Sequence, residues 1–226
     1  MSKKFIKIFK IFENFAIFLK NFKIIKQLEM DVTYLGYMEY VDIIDKGKGA
    51  LLVQEVRVFE EKEDGTPGDL VSINVISFFI RGIGGFGFAG KLNQTKMSKV
   101  PKTAPNFEVV EKTNPNQALI YRLSGDTNAI HIDPAAAEMG KLPRPILHGL
   151  CFYGISAKVV IQKLAENDCA RLKTIRARFT NIVFPGETLV YSLWVKGNTV
   201  IFSAKTQERG KVVIVGEVLL TEAPKI

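Results

Sequence analysis

The sequence predicts an α+β fold in which a mostly antiparallel sheet wraps around one buried helix. Three observations support this prediction. Residues 34–81 hold three β-rich runs separated by turns, residues 150–166 form a strongly apolar helical stretch, and four more strand-like runs follow. A helix that is apolar nearly all round its cylinder has to be buried. One buried helix packed against a sheet is the simplest arrangement of these parts.

The predicted strands alternate with turn signals. The first two form a hairpin through Lys46-Gly47-Lys48-Gly49, and a second turn at residues 63–68 precedes the third strand. A short helix is predicted over residues 117–123, ahead of the long one. The predicted strands are 38–45, 50–60, 70–81, 173–180, 188–195, 199–207 and 211–221.

Composition bounds the class of protein. The 226 residues suffice for one sizeable domain or two fused small ones, and the 47% hydrophobic content is typical of a globular protein with a buried core. The formal net charge is +8, but seven lysines against two glutamates place most of it in residues 1–29. This distribution disfavours nucleic-acid binding by the folded part. The two cysteines, Cys151 and Cys169, make no disulfide framework, so we expect an intracellular location.

Four segments are predicted along the chain. Residues 1–29 form a basic Lys/Phe/Ile segment, and residues 30–90 hold the first strands. Residues 91–116, polar and with three prolines, are predicted to be a linker. Residues 117–226 contain the helices and the closing strands.

The N-terminal segment allows two interpretations. Lysine and asparagine recur near helical spacing within residues 5–26. In the first, the segment is a basic amphipathic helix that contacts a membrane surface. In the second, which we favour, it reflects compositional drift or is a helix packed on the domain. Its longest uncharged run is too short to span a bilayer.

A glycine-rich stretch follows the third predicted strand. Gly82, Gly84 and Gly87 match the spacing G-x-G-x-x-G of a dinucleotide-binding loop. That motif also requires a helix at this point and an acidic residue about 20 positions on, and position 107 is Phe. We therefore interpret the stretch as a place where backbone approaches backbone or ligand closely.

The strongest functional signal lies between Tyr121 and Pro134. The chain has only two histidines, and His131 follows Asp126 by five residues, with Gly125 and Asn128 in the same turn. A carboxylate and an imidazole on one tight turn can hold a water molecule between them. The pattern therefore indicates general acid/base chemistry.

The window 121–150 resembles the 2-enoyl-CoA hydratase 2 family, which is MaoC-like and includes the hydratase part of peroxisomal multifunctional enzyme type 2. The resemblance covers about residues 43–221 in the family's order. The matching segments are 45–49, 82–87, 121–128, 131–134, 144–150, 177–179 and 185–186.

The resemblance implies a double hot dog, whose N-terminal half shapes the acyl pocket and whose C-terminal half carries the chemistry. It implies hydration of trans-2-enoyl-CoA to (3R)-3-hydroxyacyl-CoA in fatty-acid β-oxidation, without a cofactor or metal. The implied catalytic residues are Asp126, His131, Asn128 and Gly149. The implied substrate-binding residues are Lys46, Gly125, Thr127, Ala129, Ile130 and Phe179.

Within this assignment Asp126 and His131 share the water, and the N–H of Gly149 at the helix start stabilises the thioester oxygen. His148 and Asp133 are family-motif residues that we interpret as structural, with His148 capping the helix and Asp133 fixing the turn before Pro134. A metal site formed by these side chains is disfavoured, because only two imidazoles are present.

The N-terminal half departs from the family. Only about 40 residues precede Asp45, and the family's His-Gly pair in that half has no counterpart, so the first hot dog is predicted to be incomplete. The alternatives are therefore a catalytically weak acyl-CoA-binding protein and a related dehydratase or thioesterase. A peroxisomal location is expected from the family, with the cytoplasm as the alternative, because the last three residues, Pro224-Lys225-Ile226, are a poor peroxisomal signal. A homodimer is left open by the sequence.

Overall fold

The computed structural model describes residues 15–91 and 97–224. The chain divides into two units. One consists of Met1–Lys96 with Lys173–Arg176, and the other of Met97–Leu172 with Ala177–Ile226.

Four antiparallel strands form the first unit, in the order β2-β3-β4-β1. The strands are β1 (Phe15–Ile24), β2 (Tyr34–Asp45), β3 (Gly49–Glu61) and β4 (Pro67–Arg81). The predicted hairpin and the third strand are confirmed, each a few residues longer than expected. Residues 15–91 contain no helix. A small apolar cluster of Ile44, Leu51 and Val53 stabilises one face of this sheet.

The prediction of a helix in the N-terminal segment is wrong for Phe15–Ile24. These residues form β1, in which Phe22 pairs with Asn74 and Ile24 with Ser72 of β4. Pairing with a long, apolar neighbouring strand overrides a weak helical period. Lys20 is 8% exposed, and burial lowers its pKa to about 8. Residues 5–14 of the predicted helix lie outside the described residues.

Membrane contact by residues 1–29 stays a prediction. Within the part of the chain that the structure describes, every helix is too short or too polar to cross a bilayer.

The glycine-rich stretch packs against the hairpin turn. The Asp45 carboxylate accepts hydrogen bonds from the N–H groups of Gly47 (2.7 Å), Gly85 (3.0 Å) and Gly87. These bonds, that of Gly85 first, lower the pKa of Asp45. A Cβ on Gly84 would overlap the carbonyl oxygen of Gly47 and lie 2.6 Å from the nitrogen of Gly49. The expected close approach of backbone to backbone is therefore present.

The second unit contains the helices and a second run of strands, in the order β6-β9-β8-β7-β5. Its helices are α1 (Gln117–Arg122), α2 (Pro134–Met139) and α3 (Gly149–Leu164), with 3₁₀ turns at Ala129–His131 and Cys169–Arg171. Its strands are β5 (Phe107–Lys112), β6 (Leu172–Phe179), β7 (Thr188–Lys196), β8 (Thr199–Thr206) and β9 (Val212–Leu220). Within β6, Lys173–Arg176 belong to the first unit.

The two predicted helices and the four closing strands are confirmed within two residues at each end. The prediction that residues 91–116 are only a linker is wrong for Phe107–Lys112. This segment pairs antiparallel with β7 as strand β5. Its alternation of half-buried and exposed residues is the pattern of an edge strand with one solvated face.

The buried helix α3 packs on the sheet of its own unit, as predicted. Eight of its residues are buried, among them Phe152, Val159 and Val160. The Ser156 hydroxyl donates to the carbonyl of Phe152 at 2.7 Å and lies 3.2 Å from the Tyr191 hydroxyl of β7. The Tyr191 side chain is fully buried, so this polar contact at the centre of the core is satisfied within the protein.

We predict that Gly84→Ala destabilises the protein, because the added methyl group meets hairpin backbone that cannot move without breaking hydrogen bonds. The expected loss is about 2 kcal/mol of unfolding free energy, the usual cost of an overpacked site. Urea denaturation measures it. Gly36→Ala is the matched control in β2, where the nearest atom to an added Cβ is 3.8 Å away. Equal stability of the two variants would contradict the close approach.

Candidate active site

The turn that carries Asp126 is held by its own side chains. The Asp126 carboxylate accepts a hydrogen bond from the N–H of Asn128 at 3.2 Å, and the Asn128 side chain accepts from the N–H of Ile130 at 3.3 Å. Such contacts two residues apart are Asx turns, which fix a short loop locally. Gly125 has φ +104°, which only glycine adopts without strain. Aspartate, asparagine and glycine at these positions therefore build the turn.

His131 ends the 3₁₀ turn that follows Asn128. Its Nδ1 lies 2.8 Å from the carbonyl oxygen of Ile146. A carbonyl only accepts, so Nδ1 carries the proton and Nε2 keeps a lone pair. The imidazole is half-buried, and burial lowers its pKa, against the opposing effects of the Ile146 carbonyl and Asp126. His131 is therefore a neutral base at neutral pH.

Asp126, His131 and His148 form one cluster, in which a carboxylate oxygen of Asp126 and one ring nitrogen of each histidine all lie within 4.8 Å of one another. Separations up to this limit leave room for a single water molecule that bonds to two of the groups. The Asp126 side chain is exposed, so the cluster is open to solvent on that side. The predicted sharing of a water by Asp126 and His131 is thus geometrically feasible.

The two imidazoles are stacked, with ring centroids 3.7 Å apart and planes 25° apart. A metal ion binds an imidazole along the nitrogen lone pair, which lies in the ring plane, at about 2 Å. The lone pairs of two stacked rings lie in two separate, nearly parallel planes, so they do not converge on one ion. The arrangement suits proton transfer better than metal binding.

His148 does not cap helix α3 as the sequence predicted. It occupies the N-cap position, but its side chain makes no capping hydrogen bond. The ring turns instead toward the acid/base turn, where Nε2 lies 3.3 Å from the backbone carbonyl oxygen of Asp126. The prediction for Asp133 holds, because its carboxylate accepts from the N–H of Ala135 at the start of α2, at 2.9 Å.

Gly149 is the first residue of the 16-residue helix α3. Its N–H is one of the four that no carbonyl within the helix accepts, and it lies at the positive end of the helix dipole. An added Cβ on Gly149 would lie 3.5 Å from the Phe179 ring. Phe179 also packs edge-on against Phe152 of α3, at 5.4 Å between centroids. The structure thus places the half-buried Phe179 ring beside the helix start, where it also packs against Phe152.

The loop that carries Ile146 and His148 is anchored to the segment before β7. The N–H of Leu147 donates to the carbonyl of Val183 at 2.7 Å. The next residue, Phe184, is flanked by two guanidinium groups, Arg144 at 4.5 Å and Arg209 at 5.0 Å from its ring. These contacts explain why an exposed arginine stands in the His148 loop.

An ion pair between the half-buried Arg209 and the buried Glu187 fixes this anchor. Arg209 donates to both carboxylate oxygens of Glu187, with Nη2–Oε2 at 2.8 Å, and to the carbonyl of Ile182 at 2.7 Å. Glu187 is 4% exposed and also accepts from the N–H of Phe184 at 2.8 Å. Bidentate pairing with further hydrogen bonds is the geometry in which a buried charge is stabilised.

The other predicted binding residues lie in two places. Thr127, Ala129 and Ile130 belong to the acid/base turn, where Arg122 donates to the carbonyl of Thr127. Lys46 lies on the exposed hairpin turn of the first unit, and its N–H donates to the carbonyl of Gly49 at 2.9 Å. Their predicted contacts with substrate stay predictions.

Two site residues escaped the sequence reasoning. Ile146 contributes only a backbone carbonyl, and side-chain patterns carry no signal for such a role. Tyr121, whose ring centroid lies 4.8 Å from that of His148, begins the motif, but the sequence pattern indicates no role for it. Its position five residues before Asp126 was the available signal.

Comparison with known proteins identifies the family. Residues 96–217 match the MaoC-like domain model. The chain is 39% identical over 204 residues, or 87% of its length, to the Arabidopsis thaliana protein named enoyl-CoA hydratase 2, peroxisomal. It is 43% identical over 176 residues, or 76% of its length, to mouse peroxisomal multifunctional enzyme type 2.

The chain belongs to the MaoC-like family.

A solved structure supports the assignment. The MaoC-like dehydratase from Phytophthora capsici superposes with a TM-score of 0.84 and 34% identity, over 93% of this chain and 70% of that one. The predicted hot-dog fold class and the predicted family are thereby confirmed. The chain spans 65% of the Arabidopsis protein and 23% of the mouse protein.

We predict that Glu187→Gln lowers the unfolding free energy by about 2 kcal/mol, because Arg209 loses a charged partner in a buried setting. The matched control is Glu111→Gln, which removes the ion pair of 2.8 Å with the half-exposed Lys158. That exposed pair should contribute less than about 1 kcal/mol. Thermal and urea unfolding measure both variants. Equal losses of unfolding free energy would mean that the Glu187–Arg209 pair stabilises the protein no more than the Glu111–Lys158 pair.

Proposed function

We propose that this chain hydrates the C2=C3 double bond of trans-2-enoyl-CoA thioesters to (3R)-3-hydroxyacyl-CoA, as a step of fatty-acid β-oxidation. The proposal depends on one observation. A carboxylate oxygen of Asp126 and a ring nitrogen of His131 lie within 4.8 Å of each other, and the Asp126 turn is exposed. The family relatives named enoyl-CoA hydratase supply the reaction class.

In this mechanism one water molecule bridges the Asp126 carboxylate and the Nε2 of His131. His131 accepts a proton as the water oxygen attacks C3, since its Nδ1 is already committed to the Ile146 carbonyl. The pair then returns a proton to C2. Positioned acid/base groups of this kind contribute about 10² to 10⁴ in rate. Asn128 keeps the turn in place through its bond to the N–H of Ile130.

Negative charge develops on the thioester oxygen when the hydroxyl adds at C3. The Gly149 N–H is our candidate for its donor, because it is unpaired by helix geometry and lies at the positive end of α3. A fixed donor aimed at such an oxygen is worth roughly 3 kcal/mol of barrier. The Phe179 ring beside Gly149 then forms an apolar wall against the thioester.

The substrate also needs contacts away from the reacting carbons. We propose that Gly125, Thr127, Ala129 and Ile130 line the acyl thioester and that the Lys46 ammonium binds a CoA phosphate. The reaction as drawn needs neither a cofactor nor a metal ion. A homodimer and a peroxisomal location complete the proposal, the latter supported by the relatives that are named peroxisomal.

We predict that Asp126→Asn and His131→Gln each lower kcat by about 10² to 10⁴, with little change in stability, because each removes one proton-transfer group. The assay is loss of the absorbance of the conjugated thioester of a trans-2-enoyl-CoA. Asp168→Asn is the matched control, since Asp168 also accepts an N–H two residues on, from Ala170 at 2.9 Å. It should keep wild-type turnover.

Three alternatives have their own outcomes with the same substrate. A related dehydratase, the activity named for the Phytophthora relative, would be distinguished by the chirality of the 3-hydroxyacyl-CoA that it forms. An acyl-CoA-binding protein would bind substrate without turnover, and a thioesterase would release free CoA. Turnover by the two variants equal to that of wild type would overturn the proposed dyad.

We predict that the acidic limb of the pH profile of kcat/KM lies below pH 6.5. Burial lowers the pKa of His131, so the neutral base persists at a pH where an exposed histidine would be protonated. Activity falls only as the pH drops through this lowered pKa. Initial rates from pH 4.5 to 8 test this, and a limb above pH 6.5 would contradict the role of neutral His131.

A further inference from the structure

We propose that His148 is a positioning residue for the reaction, whose ring holds both members of the Asp126–His131 dyad in place. The expected effects on turnover rest on the proposed function, whereas the expected effects on the His131 pKa do not. The sequence patterns pointed to a helix cap, a role that the side chain does not perform.

His148 contacts each member of the dyad by a different interaction. Its ring covers one face of the His131 ring, at 3.7 Å between centroids. Its Nε2 lies 3.3 Å from the carbonyl oxygen of Asp126, and this nitrogen must donate, since a carbonyl only accepts. One side chain thus orients the imidazole and ties down the backbone of the carboxylate. Its own position is fixed, because it is 1% exposed.

The donor assignment leaves Nδ1 of His148 with a bare lone pair. This atom is buried and has no hydrogen-bond partner. A proton placed on it would be a buried charge without an acceptor, which is costly. His148 therefore stays neutral when His131 takes up a proton during the reaction, and its ring face is available to the new cation.

The charged and titratable groups around His131 and His148 leave the pKa of both rings lowered, which favours their neutral forms. Burial and the neighbouring His131 lower the pKa of His148, Arg122 lowers it further, and Asp126 opposes them. For His131, burial lowers the pKa and Asp126 alone opposes it among the side chains. Tyr121 and Cys151, which also contact His148, have raised pKa values through burial, so both are uncharged at neutral pH.

Three substitutions separate the two contacts. His148→Phe keeps a ring against His131 and removes the donor to Asp126. His148→Gln keeps a donor and removes the ring. His148→Ala removes both. Because the chain has two histidines, every variant leaves His131 as the sole imidazole, and a single Hε1 proton resonance then reports its titration.

We predict that the His131 pKa rises in the Ala and Gln variants, since water reaches the uncovered ring face, and that it stays low in the Phe variant. The acidic limb of kcat/KM should follow the same order. All three variants should lose kcat, the Ala variant by about 10²-fold, the scale of a misplaced catalytic group, with KM within about threefold of wild type. Circular dichroism and thermal unfolding establish that each variant is folded.

A purely structural role predicts a different pattern, in which Tm falls and the His131 pKa and the pH limb do not move. That pattern would overturn the proposal, as would an Ala variant with kcat within about twofold of wild type. An unfolded Ala variant leaves the other two to decide, by a raised His131 pKa in the Gln variant and an unchanged, low His131 pKa in the Phe variant. Shifted resonances in a chain without hydratase turnover would support the positioning role and reject the proposed function.

Discussion

The hydrogen bond between His131 Nδ1 and the Ile146 carbonyl, 2.8 Å long, is the contact on which the candidate site depends. It fixes the tautomer of the imidazole and directs Nε2 to the reacting side. It also joins the two loops that supply every proposed catalytic group. A second bond, from the N–H of Ile146 to the carbonyl of Ile130 at 3.3 Å, holds the same two loops from the backbone.

These loops are positioned by the buried sheet behind them. Leu147 is 1% exposed and is bonded through its N–H to Val183, which is fully buried. The Glu187–Arg209 pair then secures the segment that contains Val183, just before β7, to the turn between β8 and β9. Function on loops carried by a rigid scaffold is a general feature of enzymes, because loops tolerate polar groups that a core does not. Here the rigidity comes from a charged anchor as well as from apolar packing.

The sequence predicted most of the second unit correctly, and the reason is local. Turn residues such as Gly197 and Gly210 mark the strand ends, and the unbroken apolar run of α3 has no other stable placement than a core. Asp126 and His131 stood out because histidine is rare in this chain. Periodicity and turn chemistry were sufficient for these elements.

The misassigned elements depend on partners far away in the chain. Strand β1 carries lysine and asparagine among its apolar residues, and only its pairing with β4 shows that it is extended. Strand β5, with two glutamates in six residues, acquires its structure by pairing with β7. His148 was misread for a related reason. The N-cap position is visible in the sequence, whereas the direction of the side chain depends on the turn 22 residues earlier.

The start of helix α3 combines two properties that oppose each other elsewhere in a protein. Unpaired helical N–H groups create a positive potential that favours an anion, and the same potential disfavours a protonated imidazole next to them. Because His148 and Gly149 are consecutive, the N–H proposed to bind the thioester oxygen and the ring that must stay neutral share this potential. The buried, unpartnered Nδ1 of His148 costs stability of the order of 1 to 3 kcal/mol. At an ordinary core position, an apolar side chain would avoid this cost. At this helix start, the unpartnered nitrogen keeps the His148 ring uncharged against His131. The positive end of α3 therefore remains available for the anion that the proposed reaction creates.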